Sequence, residues 1–325
     1  MPALCTYNLT VGYPGLAVMS GISVQLSGGR LTALIGPNGI GKSTLLRTLA
    51  AAQPPLAGEI TIGGMPIAQM GRRQLARTLA MVFTDRAGAG GLTVRQVVSL
   101  GRQPHTGFLG RLSRSDRNAV DEAAQAVGIA HKLDSYMSEL SDGERQKAMI
   151  ARALAQGTPI VILDEPTAFL DAASRIETLQ LLSRLARARH KAILLSTHDI
   201  SATLPLADQL WLASTDGITA GCTEDLILAG ALDGVFGHTA RFDPLKGDFQ
   251  ALPPATRAAS VDCPDPALRH CLATALRRNG IAPAQPGSPA EIRISAQSPA
   301  SIILNGERAA SSISQLCDWL SHTEE

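Results

Sequence analysis

Leu31-Thr32-Ala33-Leu34-Ile35-Gly36-Pro37-Asn38-Gly39-Ile40-Gly41-Lys42-Ser43-Thr44 is the stretch whose reading decides the fold. Leu31 to Ile35 is a compact run with the length and composition of a buried strand. A helix is expected from about Lys42 to Ala52, stopped by Pro54-Pro55. Between them, Gly36-Pro37-Asn38-Gly39-Ile40-Gly41-Lys42-Ser43-Thr44 fits the pattern G-x-x-x-x-G-K-[ST]. The glycines let the backbone curl so that successive N–H groups point at phosphate oxygens, and the helix N-terminus adds favourable dipole charge. Lys42 can reach the β- and γ-phosphates of a nucleotide, and the Ser43 hydroxyl can bind Mg²⁺.

Working outward, Ile160-Val161-Ile162-Leu163 is a second apolar strand, and it ends in Asp164-Glu165. Strand and helix patterns alternate from 159 to 213, with Ala192–Ser196 and Gln209–Ala213 as further strands and a helix near 172–189. Such alternation implies an α/β fold, a parallel sheet covered on both faces. Ligands of such sheets bind at the carboxyl ends of the strands. Asp164 is therefore expected to face the phosphate loop and help hold Mg²⁺, and Glu165 to polarise an attacking water.

The flanks read less sharply. Residues 4–35 read as strands, 58–83 as two strands around a short helix, and 92–157 as mainly helical. A linker is expected at 251–256, around Pro253-Pro254. Beyond it, Leu268, Cys271, Leu272, Ala275 and Leu276 form one helical stripe, and Ile313, Leu316, Cys317 and Leu320 another. Ile292 and Ile294, and Ile302 to Leu304, read as strands, so 257–325 is expected to form a small α+β domain. The five cysteines are scattered and odd in number, which is no disulfide framework. Cys263, His270 and Cys271 offer metal-ligand chemistry close together, but Cys271 is expected to pack on the apolar face of its helix.

Net charge is +1, with 29 basic and 28 acidic residues and no long basic block, so nothing marks a nucleic-acid surface. No run approaches the roughly 18–20 apolar residues of a spanning helix, and no basic-then-apolar leader opens the chain. The expectation is a cytosolic protein whose membrane role, if any, comes through a partner.

Leu140-Ser141-Asp142-Gly143-Glu144-Arg145-Gln146 narrows the reading further. It resembles the signature of ATP-binding cassette proteins, usually LSGGQ, with Asp142 and Glu144 at the third and fifth places. The resemblance covers roughly residues 4–245 and implies a phosphate-loop cassette: a mixed sheet with covering helices over about 1–250, and a helical subdomain at about 85–150. It implies that Ser141 and the Gly143 N–H donate to the γ-phosphate of ATP held by a second copy. It further assigns Ala168-Phe169-Leu170-Asp171 as the loop linking the two ATP sites, His198 as the switch histidine at the γ-phosphate, and Tyr13 as the aromatic that stacks on adenine. The glutamine that the family places after the next strand is missing: Thr84 stands there, and either Thr84 or Asp85 could supply the oxygen ligand to Mg²⁺.

Gly91-Leu92-Thr93-Val94 and Gly101-Arg102-Gln103-Pro104-His105 resemble the subfamily that energises import of iron–siderophores, haem and vitamin B12. That resemblance implies a homodimer at the cytoplasmic face of the membrane, beneath integral permease subunits fed by a periplasmic or surface substrate-binding protein. The alternative is a soluble cassette of DNA repair or translation. Translation types usually carry two cassettes, and repair types insert a long coiled coil before the signature. This chain has one cassette, and Thr44 to Leu140 shows no sustained heptads.

Overall fold

Apolar runs and helix caps together lay out the architecture. The structure, a computed structural model, describes every residue except 1, 84–90, 108, 234, 236–239, 245–246, 252–254, 256, 285–289 and 322–325. Thr84, Asp85 and the Pro253-Pro254 pair therefore lie outside the described residues.

The chain divides into two compact units, one of residues 1–238 with 242–248, the other of 239–241 with 249–325. The first is built on a six-stranded sheet in the spatial order Gly217–Cys222, Gln209–Ser214, Leu31–Ile35, Ala192–Ser196, Ile160–Leu163, Leu79–Val82. The strands from Gln209–Ser214 to Leu79–Val82 pair in parallel, and Gly217–Cys222 closes one edge antiparallel. Leu31–Ile35, Ile160–Leu163 and Ala192–Ser196 are buried at every position, as strands covered on both faces must be. A second, antiparallel sheet is formed by Pro2–Tyr13, Leu16–Ile22, Gln25–Ser27, Ala57–Ile62 and Met65–Pro66. The helix Lys42–Leu49 shares one core with both sheets. Leu45, Leu46 and Leu49 pack in a cluster with Leu9 and Ile60 from the antiparallel sheet and Leu34, Leu194 and Trp211 from the parallel one. The helix is shorter than expected, ending at Leu49, because Ala51 turns into left-handed backbone at φ 53.

Helices Val94–Leu100, Arg114–Ala126 and Asp142–Ala155 pack on one another as a helical layer. Each begins at a reciprocal capping box: Thr93 with Gln96, Ser113 with Asp116, Ser141 with Glu144. Asp171 caps the helix Ala172–Ala188 through the N–H of Ser174.

The second unit carries a sheet in the order Ile281–Pro283, Arg257–Asp262, Ile292–Ser298, Ser301–Leu304, Arg308–Ala310, with helices Pro266–Arg278 and Ile313–Ser321. The first three strands in that order run parallel, and the last two pair antiparallel. Leu268, Leu272, Leu276, Leu316 and Leu320 meet Ile294 and Ile302 in its own core. Cys271 is a correction. Its side chain is exposed, while Cys263, off the helix, is buried. The stripe runs through Leu268, Leu272, Ala275 and Leu276, and Cys271 falls just outside that arc. Among the described residues no group of three His, Cys, Asp or Glu is placed to hold a metal ion.

Candidate active site

Parallel pairing brings the site together from segments far apart in sequence. Leu34 lies opposite Ser196, and Leu163 opposite Leu195 and Val82. The residues just after these strands therefore emerge along one sheet edge: the phosphate loop from Gly36, then Asp164-Glu165, then Thr197-His198.

Two glycines of the loop are required by shape. A Cβ on Gly36 would sit 2.7 Å from the Ala213 carbonyl of the neighbouring strand. At Gly41 the backbone has φ 107, and a Cβ would strike Val18 Cγ1 at 2.3 Å. Gly41 is also the N-cap of Lys42–Leu49 and supplies no side chain to cap it, leaving the first-turn N–H groups for an anion. Lys42 is buried, 6% exposed, and its Nζ donates to the carbonyls of Gly36 at 2.8 Å and Pro37 at 2.9 Å. Burial pushes its ammonium below the ordinary lysine value, opposed by the carboxylates of Glu165 and Asp164.

Ser43 Oγ donates to Asp164 Oδ1 at 3.2 Å, so two hard oxygen donors converge beside the loop. Ser196 ties the Asp164 carboxylate to the backbone of Glu165: its Oγ donates to Asp164 Oδ1 at 2.7 Å and accepts from the Glu165 N–H at 2.9 Å. No motif marks Ser196, because its partners, Asp164 and Glu165, lie 31–32 residues away in the chain. Glu165 occupies left-handed backbone at φ 47, a strained state for a residue with a Cβ. Its Oε1 lies 2.5 Å from His198 Nε2, and both side chains remain partly exposed. Glu165, Thr167, Phe169, Arg175, Thr197 and His198 line an open cavity of about 320 Å³.

Other expected residues stand apart from this cluster. Tyr13 ends the first strand with its ring half exposed. Ser141 and Gly143 open the helix Asp142–Ala155. A Cβ on Gly143 would lie 3.2 Å from Ser174 Oγ, which places the signature beside the start of the helix that Asp171 caps. Asp171 accepts from Ser174 N at 2.8 Å and Ser174 Oγ at 3.1 Å, and these donors hold its carboxyl below the ordinary value.

The Gly101–His105 motif is a brace. The Arg102 guanidinium pairs with the buried Asp116 at 2.9 Å and donates to Ala155 O at 2.7 Å. His105 Nε2 lies 2.9 Å from the carbonyl of Gln156, and Gln156 Nε2 donates in turn to Ala76 O and Leu79 O. Arg73 reaches back to the carbonyls of Pro104 and Thr106. The end of the signature helix is thus pinned to the edge strand of the catalytic sheet.

A phosphate loop opening a helix, with an acidic strand end and a histidine just beyond the next parallel strand, defines a nucleoside-triphosphate hydrolase. The family profile for ABC transporters matches residues 19–168. An ABC transporter ATP-binding protein of Methanocaldococcus jannaschii is 43% identical over 217 residues, 67% of this chain and 75% of that protein. The ferric enterobactin transport ATP-binding protein FepC of Escherichia coli K12 is 35% identical over 258 residues, 78% of this chain and 95% of its own length. The inward-facing structure of a metal-chelate type ABC transporter superposes with a TM-score of 0.64 at 26% identity, covering 73% of this chain and 89% of that one. The chain belongs to the ABC transporter family, as an ATP-binding and ATP-hydrolysing subunit.

Proposed function

We propose that this subunit drives import of a metal chelate of the iron–siderophore or cobalamin kind. Likeness to FepC supports that class, as does likeness to the iron(3+)-hydroxamate import ATP-binding protein FhuC of Bacillus subtilis, 38% identical over 62% of this chain and 75% of that protein. In this reading two copies close face to face beneath an integral membrane permease supplied by a substrate-binding protein. Among the described residues no helix is long and apolar enough to cross a membrane, so the membrane work falls to the permease.

The carrying observation is the convergence of Lys42, Ser43, Asp164, Glu165 and His198 on one sheet edge. The loop N–H groups and Lys42 bind the phosphates; Tyr13 stacks on adenine; Glu165 accepts a proton from water as His198 fixes its carboxylate. The oxygen pair Ser43 and Asp164 suits Mg²⁺, which supplies charge neutralisation at the β/γ-phosphates when bound. Asp171 and Ser141, with the Gly143 N–H, meet the partner copy and its ATP. The second unit braces or regulates the cassette and takes no part in hydrolysis. In Glu165→Gln, ATP binding with turnover slowed at least ~100-fold supports this assignment of the base; near-normal turnover overturns it.

A further inference from the structure

The signature helix opens with an arrangement that competes with its own proposed ligand. Ser141 Oγ donates to Glu144 Oε2 at 3.0 Å, the Ser141 N–H donates to the same oxygen at 3.0 Å, and the Glu144 N–H returns to Ser141 Oγ at 3.3 Å. One carboxylate oxygen therefore occupies the Ser141 hydroxyl proton that a γ-phosphate would need. The other oxygen lies 3.5 Å from Lys132 Nζ, on the turn Ala130–Lys132 just outside the signature. Asp142 does not intrude in this way, being paired with Arg145 at 3.0 Å.

We propose that Glu144 is a built-in stand-in for the partner's γ-phosphate, released when ATP closes the dimer by swinging wholly onto Lys132. This rests on the reading that Ser141 contacts ATP held by a second copy. Phosphate and carboxylate are both anions drawn to the same helix N-terminus, so closure exchanges one for the other and the carboxylate sets the ATP level at which the dimer forms. A glutamine at 144 keeps a carbonyl to accept the Ser141 N–H, preserving the cap, but carries no charge and binds the hydroxyl proton less strongly. Lys132 works in the opposite sense, because it receives the displaced charge.

The test uses the full chain carrying Glu165→Gln, so that closed dimers accumulate, with ATP-dependent dimer formation followed by gel filtration. Adding Glu144→Gln is expected to lower the half-maximal ATP concentration about tenfold. Lys132→Met is expected to raise it severalfold, and to have no effect when Glu144→Gln is also present. An unchanged or higher ATP requirement in Glu144→Gln overturns the proposal, as does a Lys132→Met effect that persists in the double variant. Ser141→Arg separates the two levels of argument. If it abolishes dimer formation, the contact in trans stands and only the stand-in is judged by the Glu144 result; if it changes nothing, the contact in trans fails and the stand-in with it.

Discussion

At the scale of single residues, Ser196 carries more than its size suggests. Its hydroxyl holds Asp164 and the backbone of Glu165 together, and Glu165 has a strained φ of 47 that needs such an anchor. Ser196→Ala is expected to reduce turnover by about tenfold or more, with nucleotide affinity reduced less, because it loosens the placement of the base rather than the phosphate contacts. Steady-state kinetics beside equilibrium nucleotide binding separate the two. Lys42→Ala is expected to do the reverse and weaken binding itself, as a charge facing the β/γ-phosphates is lost. The phosphate-loop pattern points to Lys42 and the acidic end of an apolar strand to Asp164 and Glu165, whereas His198 follows from the family resemblance alone. Ser196 was not legible, because its task is to touch two residues brought near only by the pairing of strands. Thr84 and Asp85, the two alternatives for the missing glutamine, lie outside the described residues.

At the scale of elements, the brace from Arg102 to Gln156 turns a sequence motif into a mechanical joint. A Cβ at Gly101 would stand 2.2 Å from the Arg152 carbonyl. Gly101→Ala therefore forces the helices Val94–Leu100 and Asp142–Ala155 apart and is expected to cost about 1–3 kcal/mol in stability, read by denaturant unfolding. Asp116 shows the sign of the electrostatic part. Donation from Ser113, with help from Arg102, brings its carboxyl down to about 2. A carboxylate with a depressed folded value stabilises the fold above its ordinary value and loses that contribution as pH falls through the depressed one. Melting temperature is therefore expected to drop between about pH 4 and pH 2 in the native chain, and Asp116→Asn to melt lower at neutral pH with a flatter profile across that window. Sequence periodicity marked this region as helical, but it could not show which end of which helix the motif clasps. The antiparallel edge strand Gly217–Cys222 carries little sequence signal for a different reason: it holds glycines and small residues around only two β-branched ones, Ile218 and Thr219.

At the scale of the whole molecule, two experiments address assembly and the second unit. In a mixed dimer with Lys42→Ala on one copy and Ser141→Arg on the other, one composite ATP site is expected to survive; with both changes on one copy, none. Equal nucleotide occupancy in the two dimers argues against face-to-face closure. Cutting the chain after Ala251, which leaves only residues 239–241 and 249–251 of the second unit, is expected to leave basal ATPase activity measurable; a folded product unable to bind ATP argues against an accessory role. Two helices and two strands of the second unit were legible from apolar stripes. Arg257–Asp262, Ile281–Pro283 and Arg308–Ala310 were not, because such short strands with few β-branched residues lack alternation and gain their identity from their neighbours.

The central position of Leu31–Ile35 also sets a timetable for synthesis. Its parallel neighbours are Ala192–Ser196 and Gln209–Ser214, and the Leu31 N–H is held by Asp208, 177 residues further along. A chain leaving the ribosome at about 5–20 residues per second carries this apolar strand unpaired for roughly ten seconds or more. Throughout that interval the phosphate loop exists as sequence without walls, and the strand is a sticky edge that a holding chaperone would have to shelter. Ribosome-bound fragments shorter than about 200 residues should therefore fail to retain ATP, and nucleotide capture becomes a late event in the birth of the protein.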